Sequence, residues 1–147
     1  MLRSLALIPL VVLLAAAGCN GTKTTAPTET SSTISVDEPF RLGLGETVEI
    51  EGQALRFVDV VEDSRCPVDV ACVWEGRAKV QLAASLADGE ESRQVLTLPY
   101  GSMTEEESAS WTVGGMTVTF VDLIPAPGSA DASSTAREVE LRVDAAE

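Results

Sequence analysis

From Phe40 onward, apolar and polar residues alternate at period two. Phe40, Leu42 and Leu44 alternate with Arg41 and Gly43, and Val48 and Ile50 with Thr47, Glu49 and Glu51. Leu55 to Val61 follows, and then comes the longest pattern. Cys72, Trp74, Gly76, Ala78, Val80, Leu82, Ala84 and Leu86 are small or apolar, with Glu75, Arg77, Lys79, Gln81 and Ser85 between them. Gln94 to Leu98, Trp111 with Val113, Met116-Val118-Phe120 and Val139-Leu141-Val143 repeat the pattern towards the C-terminus. Successive side chains of a strand point to opposite faces, so period two predicts strands with one buried face. Gly52-Gln53, Asp88-Gly89 and Gly114-Gly115 read as turns between them. Pro125 to Ala136 reads as a polar loop, and only residues 102 to 109 offer a helical turn. Seven or eight short strands at this spacing predict an all-β fold, a small antiparallel β-sandwich, Ig-like or barrel-like. Gly76 is expected to mark a bulge or bend in the long strand. Phe40, Phe57, Trp74 and Phe120 fall in the buried phase.

The first 38 residues follow another logic. Arg3 is the lone charge before Leu5 to Ala17, an uncharged run of 13 residues. A membrane-spanning helix needs roughly 20 apolar residues, so this run is too short to span. It ends in Ala16-Ala17-Gly18-Cys19, where small side chains suit a signal peptidase. The segment resembles a bacterial lipoprotein signal peptide, with Ala16 where such signals more often carry Leu. The alternative is ordinary secretion, with cleavage after Ala17 or Gly18. The resemblance implies that Cys19 opens the mature chain and carries lipid, palmitate among its acyl chains. Two or three chains hold a protein on a membrane that one chain holds only marginally. It also implies export to the cell envelope, with Asn20 favouring the outer membrane in a didermal host. Residues 19–38 then form a lipidated tether rich in Thr and Ser, with almost nothing to bury and hence disordered. Such a stretch reaches about 25 Å. The chain divides into a signal peptide (1–18), the tether (19–38) and one β-sandwich domain (39–144).

Three cysteines are an awkward number for an exported protein. Assigning Cys19 to lipid leaves Cys66 and Cys72, and an oxidising compartment makes a disulfide their default. Closing seven residues stabilises by roughly 2 to 2.5 kcal/mol on the chain-entropy estimate. Removing Arg3 from the ten basic residues leaves nine against 23 acidic ones, a mature charge of −14. Such a surface repels nucleic acid and anionic headgroups, so no nucleic-acid partner is expected.

The segment Asp63-Ser64-Arg65-Cys66-Pro67-Val68-Asp69-Val70-Ala71-Cys72-Val73-Trp74-Glu75-Gly76-Arg77-Ala78-Lys79-Val80 stands apart. It joins two strands through a disulfide-sized loop. Its SRCPxxVxCVWxGxAxV pattern resembles a family of bacterial envelope lipoproteins to which no biochemical activity is assigned. The resemblance extends to Leu42-Gly43-Leu44-Gly45-Glu46 and to the final strand, so it implies fold and location but no mechanism. Read physically, Pro67 stiffens the turn, and Trp74 is expected to pack on the disulfide inside the core. Gly76 admits a close backbone or ring. Asp63, Arg65, Glu75 and Arg77 are expected to form an ion-pair cluster.

The chain has no histidine, which removes the commonest general base and the nucleophilic triads. Serine and cysteine lack an evident activator. Six aromatic residues are too few for both a core and a sugar cleft. No catalysis, cofactor or metal is expected. The composition favours a non-catalytic interaction or structural module, held on the membrane by its lipid, with an envelope protein or polymer as partner. Loops 63–71, 99–110 and 125–136 are the candidate surfaces. The alternative is a cation or small-ligand binder built on Asp59, Glu62, Asp63 and Asp69, or on Glu105, Glu106 and Glu107, although neither run has the spacing of a calcium loop.

Overall fold

The computed structural model describes residues 38–74, 76–99 and 103–146; residues 1–37, which include Cys19 and the expected signal peptide and nearly all of the expected tether, and the motif residue Glu75 lie outside them. Eight strands are present: β1 (Phe40–Gly43), β2 (Thr47–Ile50), β3 (Gln53–Asp63), β4 (Arg77–Ser85), β5 (Glu91–Pro99), β6 (Ser110–Val113), β7 (Met116–Ile124) and β8 (Glu138–Ala145). They form two four-stranded antiparallel sheets, β1-β8-β7-β6 and β2-β3-β4-β5. The all-β sandwich with one disulfide is therefore as the alternation predicts. No described residue is helical, and the expected helical turn is instead one bonded turn, the Glu107 N–H donating to the Thr104 carbonyl at 3.1 Å.

Of the two expected variants, the strand order is the barrel-like one. Each paired strand neighbours its sequence neighbour, except that β1 closes on β8. The eight strands follow one another as a meander, without a Greek-key crossing. Backbone bonds span both breaks between the sheets. Between β1 and β2, the Leu44 N–H donates to Arg137 and the Gly45 N–H to Phe57, both at 2.8 Å. Between β5 and β6, the Thr97 N–H donates to Ser108 and the Phe120 N–H to Ala109, both at 2.8 Å. Such bonds occupy edge groups that would otherwise template aggregation. The hairpins β2–β3 and β6–β7 turn through the two-residue links Glu51-Gly52 and Gly114-Gly115, and β4–β5 turns at Asp88-Gly89.

The core is the alternating set of the sequence. Leu55 and Phe57 of β3, Ala78, Val80, Leu82 and Ala84 of β4, Leu96 of β5, Val118 and Phe120 of β7, and Val139, Leu141 and Val143 of β8 are all buried. Two strands change phase along their length. In β3 the register shifts between Phe57 and Asp59 and again between Val60 and Glu62; in β7 it shifts between Phe120 and Asp122. An extra residue in a strand turns the following side chains over. This is why Leu123 is buried after Val118 and Phe120. At two of these bulges an aspartate bonds the next amide: Asp59 Oδ1 accepts from Val60 N and Asp122 Oδ1 from Leu123 N, both at 2.8 Å.

Phe57 is fully buried between the sheets. Phe57→Ala is expected to destabilise the domain by about 3–5 kcal/mol, read as the loss of unfolding free energy in denaturant titration.

Candidate functional site

The segment between β3 and β4 is the long end of a hairpin, and its root is fixed by short-range chemistry. The Ser64 N–H donates to the Arg77 carbonyl at 2.9 Å, and the Arg77 N–H donates to Ser64 Oγ at 3.2 Å. These bonds continue the β3–β4 ladder past Asp63 and Ala78. Gly76 sits at φ 70°, and a methyl group there would overlap the Ser64 carbonyl oxygen. The sequence expectation of a close backbone at Gly76 is met, and the neighbour is the first residue of the loop.

Beyond this root, Arg65 turns inward. Its side chain retains 3% of its accessibility. Nε donates to Asp63 Oδ1 at 2.7 Å and Nη2 to Asp63 Oδ2 at 3.0 Å, a bidentate pair. Nη1 donates to the Leu123 carbonyl at 2.6 Å and to Asp122 Oδ1 at 3.3 Å, and Nη2 donates to the Pro125 carbonyl at 3.0 Å. Arg137 approaches Asp63 Oδ2 at 3.7 Å. One guanidinium thus ties the end of β3, in one sheet, to the end of β7, in the other. The expected ion-pair cluster is met for Asp63 and Arg65. It is corrected for Arg77, which points to the outer face and pairs with Glu107.

The loop itself is held from two further sides. Cys66 and Cys72 form a disulfide with their Cα atoms 5.9 Å apart. The Val68 N–H donates to the Pro127 carbonyl at 2.9 Å. Gly128, at φ 74°, lies so close beneath that a side chain there would strike Asp69 and Pro67. Loops 63–71 and 125–136 therefore form one packed unit.

On this rigid base the apolar residues face outward. Val68 is 65% exposed, Val70 54%, Val73 93% and Trp74 81%. The placement of Trp74 in the core is thus corrected. Strand β4 begins at Arg77, not at Cys72. The left-handed turn at Gly76 interrupts the extended backbone through which the phase of Ala78 and Val80 would have reached back to Trp74, and the disulfide draws Cys72 towards Cys66. Period two carries information only while the chain stays extended. The other large apolar residues exposed among those described (Leu44, Val61, Met103 and Val121) are spread along the sequence, whereas these four lie within seven residues.

The acidic runs do not converge. Among the described residues, no three of Cys, Asp and Glu stand close enough to hold a metal ion. Asp59 and Asp63 bond the partners given above. Glu105 and Glu106 are exposed, whereas Glu107 folds over the outer face of the β2–β5 sheet. There it accepts from Lys79 at 2.9 Å, from Arg77, and from the Thr104 N–H at 3.0 Å. Hydrogen bonds from Lys79 and then from Thr104, with Arg77 beside them, lower its pKa from 4.5 to about 2. In the sequence Glu107 stands with Glu105 and Glu106 as one acidic run, and only the Arg77–Lys79 spacing on one strand face hints at its partners.

Compared with known protein families, with curated proteins and with solved structures, the chain has no match.

Arg65→Ala is expected to cost about 3–5 kcal/mol, because it leaves Asp63 and two carbonyls without their buried donor. Trp74→Ala, at an exposed position, is expected to change stability by no more than about 0.5 kcal/mol. Paired denaturant titrations test both. Glu107 has a folded pKa below its unfolded value, so its contribution is complete above pH 4.5 and lost as pH falls towards 2. Glu107→Gln should therefore be less stable than the parent at pH 6, with the gap closing in melts between pH 4.5 and 2.

Proposed function

We propose that this chain is an exported, lipid-anchored protein that displays a small β-sandwich as a non-catalytic interaction module in the cell envelope. The observation that carries the interaction reading is the loop from Cys66 to Trp74. It is fixed at its root by Arg65, stapled by its disulfide, and exposes Val68, Val70, Val73 and Trp74. Apolar side chains on a mobile loop can collapse onto the nearest core, whereas those on a clamped loop cannot. An exposed apolar cluster rimmed by polar residues marks a contact surface. The signal-like segment ending at Cys19 and the Thr/Ser-rich stretch to residue 38 support export and tethering, and the disulfide suits an oxidising compartment. The SRCPxxVxCVWxGxAxV motif and its likeness to envelope lipoproteins agree with that location. The absence of histidine from the sequence supports a role without acid–base catalysis.

The full-length chain, produced in a bacterial host, is expected to incorporate labelled palmitate and to sediment with membranes. Cys19→Ala should abolish the label and release the protein into the soluble fraction. A wild-type chain that is cut after Ala17 or Gly18 and recovered unlabelled would replace the anchor with ordinary secretion.

A further inference from the structure

Given the display reading, which this inference rests on, the loop's chemistry restricts what can occupy it. Tryptophan is the residue most enriched among energetic anchors of protein interfaces, and such anchors work best when surrounded by contacts that exclude water. Val68, Val70 and Val73 stand exposed within six residues of Trp74 along the chain and can add apolar area to the same contact. The segment from Arg65 to Cys72 loses little entropy on docking, because the disulfide, the Arg65 bonds and the Val68–Pro127 bond already hold it.

The exposed charge on the two packed loops is negative. Asp69 is the only charged residue from Cys66 to Trp74 and is exposed; Asp131 of the adjoining loop is exposed too. The nearby cations are engaged, Arg65 with Asp63 and Asp122, Arg77 with Glu107, and Arg137 with Asp63. The whole sequence carries −13. A second copy of this chain would meet the loop with like charge, and so would an anionic bilayer.

We propose that the stapled loop docks into a folded partner protein through an apolar pocket ringed by lysine and arginine. Trp74 and Val73 enter the pocket, and the exposed Asp69 and Asp131 of the two loops face the partner's cations. These charges set the rate of encounter and its salt dependence, and the tryptophan sets residence time.

The test places a photo-crosslinking amino acid at Val73 of the full-length chain, in the cells that make it. A second chain carries the crosslinker at Ser134 and a third at Met103, so that the segment from Cys66 to Trp74 and the other two candidate loops are all probed. The expected result is a covalent adduct from Val73 to one basic protein, identified by mass spectrometry. Purified, that protein should bind the oxidised parent. Affinity should fall about thirtyfold or more with Trp74→Ala and fall steadily as sodium chloride rises from 50 to 500 mM. Trp74→Phe should retain most of the binding. Circular dichroism melts of the variants, matched to the parent, separate lost contact from lost fold. An adduct to a second copy, to phospholipid or to an acidic protein overturns the proposal, as does binding that is indifferent to salt or to Trp74. Adducts only from Ser134 or Met103 overturn it but leave the display module standing. Adducts from none of the three positions overturn both.

Discussion

The stapled loop depends on the burial of one guanidinium. Taking Arg65 out of water costs several kcal/mol, an expense that only well-placed acceptors offset. Asp63 meets it with both carboxylate oxygens, while the Leu123 and Pro125 carbonyls and Asp122 meet its other side. Those acceptors come from the ends of β3 and β7, strands of opposite sheets. The pair therefore fixes where the sandwich ends and where the loop begins. A hydrophobic residue of similar volume at position 65 would bury more comfortably, but it would leave Asp63 and two carbonyls seeking water. The position thus demands a planar, many-donor cation, which lysine cannot supply.

A second polar tie stands at the other end of the same strands. Gln53, the first residue of β3, donates through Nε2 to the Gly114 carbonyl at 2.6 Å, in the turn that precedes β7. Gln53 is buried, as Arg65 is. β3 and β7 are therefore pinned across the core at both ends, one pin neutral and one ionic. Between the pins the contact is apolar: Leu55 and Phe57 on one side, Val118, Phe120 and Leu123 on the other. Apolar burial supplies most of the favourable energy but little direction. The polar pins supply direction, since a bidentate bond is lost by a shift of one ångström.

This division explains what could be read from the sequence. The strands β1, β2, β4, β7 and β8 announce themselves by alternation, because each keeps one face on the core. The turns at Asp88-Gly89 and Gly114-Gly115 are legible from their residues, and the first hairpin turn is read one residue late, at Gly52-Gln53, because Gln53 already opens β3. The pairing of Cys66 with Cys72 follows from counting cysteines. The bulges of β3 and β7 are not legible, since an aspartate that bonds the next amide resembles any polar residue of a strand. Trp74 is the instructive miss. Its phase agrees with that of Ala78 through Gly76, and only the left-handed backbone at Gly76, imposed by the nearness of the Ser64 carbonyl, breaks the agreement. Glu107 is missed for a related reason. Its partners lie 28 and 30 residues away on a sheet face, and no local pattern points there.

The same physics links stability to display. A tryptophan in the core of a small domain would have contributed several kcal/mol of burial. Here the core is filled by Phe57, Phe120 and aliphatic side chains, and Trp74 stands outside it. An exposed tryptophan and three exposed valines favour aggregation unless something keeps copies apart, and the excess of carboxylates does that by repulsion. The acidic surface and the apolar loop are thus complementary features of one design. On the proposed display reading, charge would hold identical chains away from one another while the clamp keeps the apolar side chains presented, which leaves the contact to a surface of opposite charge.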